Sequence, residues 1–206
     1  LAAAGARPAP VFGRFTDREV YEALLAGDVA RFEEVAEALV DLFIRETIDY
    51  VLGDAAEGFN PAHDLCRVLV DVAVVRARAR GRSIANLEFP LEGPPHRVPR
   101  SPGEAPVILR LDDRAFARKR AAATAYTAMA REIQRAIGAY GERAFRTECL
   151  RPAEGNAGTV ASATPLPYER CGEARVAAGR YLRVVREREH LMPIAAALWR
   201  GAVRPG

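Results

Sequence analysis

The segment that most restricts the fold is 48–64, where the short apolar run IDYVLG passes into an acid-rich loop and then into Asn60-Pro61 at the head of a long amphipathic stretch. The run is β-rich and too short for a helix, and it reads as a buried strand. Asn60 is a favoured helix cap because its side chain accepts from an otherwise unpaired N–H, and Pro61 suits the next position because it has no N–H to leave unpaired. The helix they open is expected to run to about Arg80, with Leu65, Val68, Leu69, Val72 and Val75 inward. Two helices precede the strand. Thr16 and Glu19 form a capping box ahead of Val20, Leu24 and Leu25, and Asp28 caps a stretch in which Phe32, Val35, Ala36, Leu39, Val40 and Phe43 recur at helical spacing. Helix, strand, loop, helix is the rhythm of an α/β domain with a parallel sheet.

Further strands are expected at 86–89 and 107–111, and a long helix from Asp113 to Tyr140 stopped by Gly141. Glu92 to Ala105 holds four prolines and two glycines and reads as a loop, as does Glu154 to Pro167. Ala144 to Leu150 is expected as a last strand, followed by two helical segments that break near Pro193. With 206 residues and no internal repeat, 1–206 reads as a single domain, with 168–206 a helical C-terminal extension.

Hydrophobic residues at 50% and charged residues at 28% mark an ordinary globular chain rather than a disordered one. The net charge of +3 does not point to nucleic acid. Lys119 is the only lysine, and arginines such as Arg78, Arg80, Arg82, Arg118 and Arg120 are interleaved with acids and read as solvated helix faces. No Gly-x-Gly-x-x-Gly follows a strand, so the dinucleotide phosphate cradle is missing. Cys66, Cys149 and Cys171 form no Cys-x-x-Cys pair, and reduced thiols in a cytoplasmic protein are the simplest expectation. No apolar run is long enough to span a membrane and no secretory signal is visible. The chain starts at Leu1 rather than methionine, and is expected to be a partial product.

The chemistry is concentrated in Asp54, Glu57, Asn60, His63 and Asp64, placed where a strand ends and a helix begins. Ligands of open α/β sheets bind at the carboxyl ends of the strands. A neutral His63 imidazole suits a metal, and Asp54 or Glu57 suits orienting that ring or handling protons. The same residues also suit a purely structural part: Asn60 and Asp64 as helix-terminus residues, and His63 as a lone histidine short of the three ligands that zinc needs. Cys66 reads as a small core residue, and His96 as incidental in its Pro-rich loop.

The stretch Asn60-Pro61-Ala62-His63 resembles the second metal motif of the LmbE-like (PIG-L) de-N-acetylase family, which follows a strand and typically reads His-Pro-x-His. Pro167-Tyr168-Glu169-Arg170, the run Arg175 to Tyr181, and Arg188-Glu189-His190 look like the tail of one bacterial branch of that family. The resemblance covers approximately Gly13 to Trp199. It implies a Rossmann-like three-layer fold with a mostly parallel sheet, N-terminally truncated here, and a Zn2+-dependent hydrolase that removes an N-acyl, usually acetyl, group from an amino sugar or sugar conjugate. His63 maps to a zinc ligand. Asn60 stands where relatives carry the histidine that helps stabilise the oxyanion; an amide donates a hydrogen bond but no proton. The family's His-Pro-Asp-Asp type motif, which brings two zinc ligands and the general base, does not occur in this sequence. It is expected upstream of Leu1, so that the chain alone is expected to be inactive, and a trimmed sheet is expected to lower stability or favour a homo-oligomer. The alternative reading is a non-catalytic family member that binds or scaffolds.

Overall fold

The computed structural model describes residues 5–94, 106–153 and 162–202. The chain is α/β and divides into two compact units, Gly13–Glu88 with Ala153–Gly206, and Leu1–Phe12 with Phe89–Pro152. The larger unit opens with α1 (Asp17–Ala26), whose Thr16/Glu19 capping box forms as the sequence requires. Helix α2 (Val29–Arg45) starts on the Asp28 cap and buries Phe32, Ala36, Val40 and Phe43. Strand β1 (Tyr50–Asp54) leads into α3 (Pro61–Ala79) and then to β2 (Ala85–Phe89), which lies beside β1.

The expectation of a buried strand at 48–53 is corrected in one respect. Of β1 only Val51 is buried, while Tyr50 and Leu52 on the other face are 69% and 49% exposed. Alternation in a strand sends neighbouring side chains to opposite faces, and among the described residues the Val51 face is the one packed in a core cluster.

Helix α3 is the axis of this unit. Its Leu65, Leu69 and Val72 share a core with Leu24 and Phe32 and with Tyr168, Val185, Leu191, Ile194, Leu198 and Trp199. Those last residues come from α6 (Pro167–Ala177), from Val185 in the connection that follows it, from a π-helical turn at Glu187–Leu191, and from α7 (Met192–Ala202). Val68 and Val75 are only partly buried against that core. A second cluster joins Val40, Phe43, Val51, Val74 and Ile84 under β1. Burying each large aliphatic side chain contributes roughly 1.5–3 kcal/mol. Two buried arginines on α3 supply the polar fastenings. Arg76 pairs with Glu33 at 2.6 Å and Glu37 at 2.7 Å and donates to the Leu198 carbonyl, tying α3 to α2 and α7. Arg67 pairs with Asp71 at 2.7 Å and donates to Asn86 Oδ1 at 2.7 Å, tying α3 to β2.

In the smaller unit β3 (Val107–Arg110) and β4 (Thr147–Pro152) pair antiparallel, with Ile108 opposite Cys149. The expected single helix from Asp113 to Tyr140 is two: α4 (Asp113–Ala125) and α5 (Ala130–Tyr140), separated at Tyr126 and a short turn at Thr127–Met129. No glycine or proline marks the break. Thr124, Tyr126 and Thr127 are weak helix formers, and the Thr124 hydroxyl competes for the Arg120 carbonyl. A cleft of about 720 Å³ lies between α4 and α5, with Phe116, Ile133, Ile137 and Tyr140 among its walls. Its cations are paired: Lys119 with Glu148, Arg120 with Glu142, and Arg135 with Glu132.

Candidate functional site

The candidate site lies wholly in the larger unit, on the connection from β1 to α3. Asp54 ends the strand, Asn60 caps the helix, and His63 sits in its first turn. Helical geometry brings His63 back over the loop, and its Nδ1 lies 2.7 Å from Asp54 Oδ2. In a neutral imidazole a carboxylate on Nδ1 selects the tautomer with its N–H there and presents Nε2 as the free nitrogen, the form that a metal ligand or base requires. The two side chains are 45% and 32% exposed, so both are open to solutes.

The loop is held by Asp64. Its buried carboxylate accepts from the backbone N–H of Glu57 at 3.1 Å and of Gly58 at 3.2 Å. Burial pushes the Asp64 carboxyl above its usual range, and Glu187 adds to that, while the two N–H donors and His63 pull it back. Gly58 has φ +72°, a conformation that favours glycine, and a Cβ there would meet the Leu166 side chain at 2.8 Å and oblige it to shift. The Gly58 carbonyl in turn accepts from Tyr168 N at 3.1 Å, which fastens the start of α6 to the loop.

Asp54 and His63 are brought together. Asn60 uses its Oδ1 to cap Ala62 N at 2.9 Å and accepts a long hydrogen bond from the Tyr21 hydroxyl at 3.4 Å, so its Nδ2 is the group left to donate to a solute. Glu57 enters through its backbone N–H, which donates to Asp64. Cys66, expected in the core, is exposed on α3. Glu189 is exposed, and His190 accepts from Arg186 N at 2.9 Å, closing the π-helical turn. His96 lies outside the described residues.

Two features escaped sequence reasoning. The first is the part of Asp64 as the clasp of the loop; a carboxylate just after the helix start was its only signal. The second is the arrival of Tyr168, Glu169 and Glu187 beside that clasp. Glu169 Oε1 accepts from Glu187 N at 2.8 Å and its Oε2 from Leu166 N at 3.1 Å, so the start of α6 and the π-helical turn share one carboxylate. The Pro167-to-Glu169 pattern announces a helix start, but nothing in it says which distant loop that start meets.

Among the described residues, no three His, Cys, Asp or Glu side chains are grouped to hold a metal ion. His63 with Asp54 therefore fits one ligand of a zinc site and its orienting partner, and not a full set. No helix among the described residues is long and apolar enough to cross a membrane. No family model, curated protein or solved structure matches the chain.

Proposed function

We propose that this chain carries the histidine half of a zinc-dependent amide-hydrolysing site of the LmbE-like kind, acting on an N-acylated amino sugar or sugar conjugate, on a Rossmann-like sheet that is mostly parallel. The observation that carries the reading is the 2.7 Å contact of His63 Nδ1 with Asp54 at the carboxyl end of β1. Carboxylate–histidine pairs of this form orient metal-binding imidazoles and raise their basicity. When bound, zinc lowers the pKa of its water and polarises the amide carbonyl. The described residues group too few ligands for any step to be routed through the metal, and their own groups have narrower tasks. Asp54 fixes the tautomer of His63. Asn60 offers Nδ2 as a hydrogen-bond donor to the oxygen that becomes negative in the tetrahedral intermediate. Asp64 holds the loop that carries Asp54 and Asn60 at a fixed spacing. The group that takes the water's proton belongs, by the resemblance, to the motif this sequence lacks.

The second reading, a non-catalytic member that binds or scaffolds, is favoured by Asn60 standing where the motif has histidine, since an amide cannot deliver a proton. The two separate by assay. In a protein that joins this chain to a His-Pro-Asp-Asp type segment, acetate release from an N-acetylated sugar conjugate is expected to depend on zinc. Asp54→Asn is expected to lower zinc affinity or rate about 10–100-fold. Absence of release, with zinc in excess and the chain folded, selects the non-catalytic reading.

A further inference from the structure

The cleft between α4 and α5 lies wholly in the smaller unit and has a volume of about 720 Å³ as bounded by the described residues. Its walls come from several directions. Phe116 belongs to α4, Ile133, Ile137 and Tyr140 to α5, Phe89 to the end of β2, and Phe145 to the turn before β4. Ile133, Ile137 and Tyr140 recur at helical spacing and share one face of α5. Among the described residues that face is left without cover: no residue of α5 is buried, and Ile137 and Tyr140 are 38% and 40% exposed. A helix of 11 residues takes most of its stability from packing an apolar face, so this one calls for an apolar occupant of the cleft.

The charges in the walls are an independent guide to that occupant. Lys119 pairs with Glu148 at 2.6 Å, Arg120 with Glu142 at 2.9 Å and Arg135 with Glu132 at 2.8 Å, and all six side chains line the cleft. Each of these cations is therefore neutralised by a carboxylate of the same cleft. Glu92, the remaining charged wall residue, is exposed. A charged ligand would give up its water and meet side chains that are already engaged, which is costly. An uncharged one loses little hydration and takes apolar wall out of water. Four of the walls are aromatic, and Lys119 and Arg146 lie over the rings of Phe145 and Phe116 at 5.6 and 4.5 Å.

We infer that this cleft binds an uncharged organic molecule that carries an aromatic ring. Its volume falls within the range of about 300–1,000 Å³ usual for small-molecule pockets. Aromatic walls on several sides suit a ring, which they meet by offset and edge contacts. Met129, also in the wall, adds a pliable thioether that packs well against rings. A protein partner covers a broad patch of about 800 Å² on each side, a different geometry from a hollow between two helices. The inference rests on the smaller unit alone, and it stands or falls independently of His63 and of the function proposed above.

The test is fluorescence titration of the full chain with N-phenyl-1-naphthylamine, an uncharged aromatic probe, and with 8-anilinonaphthalene-1-sulfonate, the same rings bearing a negative charge. The uncharged probe is expected to bind saturably at one site per chain, and the sulfonate at least about tenfold more weakly. Ile137→Glu puts a charge on the cleft face of α5 at a position that is not buried, so the fold should persist, and binding is expected to weaken about tenfold or more. Ala123→Phe fills the cleft from α4 and is expected to weaken binding to a similar extent, about tenfold. Ile108→Thr, on the exposed strand β3 and not in the walls, is the control and should leave binding unchanged. Equal affinity for the two probes overturns the inference, as does unchanged binding in folded Ile137→Glu and Ala123→Phe proteins. A loss in Ile108→Thr equal to that in Ile137→Glu assigns the probe to exposed apolar surface at large and overturns it too. Sedimentation that shows a dimer, separated by Ile137→Glu, makes the cleft an interface between copies and overturns the small-molecule site.

Discussion

Replacing Asp71 with alanine is expected to lower the unfolding free energy by about 3–5 kcal/mol. Asp71 Oδ1 accepts from Arg67 at 2.7 Å and from Asn86 Nδ2 at 2.7 Å, and Arg67 also donates to Asn86 Oδ1. All three side chains are buried. Removing the carboxylate leaves a guanidinium charge and an amide donor in the interior with their shared acceptor gone. The cost is that uncompensated charge rather than the worth of one contact. Asp71→Asn keeps an acceptor and loses the charge, and is expected to cost about 1–3 kcal/mol. Trp199 is the only tryptophan, and it lies in the same compact unit as the triad. Urea unfolding followed by its fluorescence therefore reads the relevant transition. A loss below about 1 kcal/mol for Asp71→Ala would mean that water reaches Arg67 and replaces the carboxylate.

The largest effect on chemistry is expected from His63→Ala. In a protein that carries the remaining zinc ligands, the substitution should abolish stoichiometric zinc and lower amide hydrolysis about a thousandfold or more, roughly 4 kcal/mol of transition-state stabilisation. The fold should persist. The His63 side chain is 45% exposed and belongs to neither buried core cluster of the described residues, so little core packing is lost. His190→Ala is the control. That imidazole accepts from Arg186 N and closes a π-helical turn, a task away from Asp54 and His63, so its loss should leave zinc content and rate near those of the unsubstituted protein. Retention of zinc and rate in the His63 variant would remove this histidine from the site.

Much of the larger unit is legible in the sequence because local rules and burial agree there. Thr16, Asp28 and Asn60 each start a helix at the expected residue, and each makes the side-chain bond that defines a cap. Phe32, Ala36, Val40 and Phe43 face inward as their spacing requires. Agreement fails where the deciding partner is remote. The exposed face of β1 depends on what covers it, which IDYVLG cannot reveal. The break at Tyr126 comes from weak propensities without a glycine or proline, so helical periodicity runs straight through it. At the candidate site, the pairing of Asp54 with His63 was one of two options that sequence left open, Glu57 being the other, and strand-end geometry selects Asp54. Tyr168 and Glu187 are joined to that loop only by the return of the C-terminal helices, a long-range contact that residue patterns do not encode.

The most direct measurement is the coding sequence immediately upstream of the Leu1 codon. The expected result is an open frame encoding a short apolar strand followed by His-Pro-Asp-Asp or a near variant such as His-x-Asp-Asp, which would give His63 the two ligands and the base that a zinc hydrolase requires. A start or stop codon at that boundary, with no such motif, would contradict the hydrolase reading and leave the binding or scaffold reading in its place.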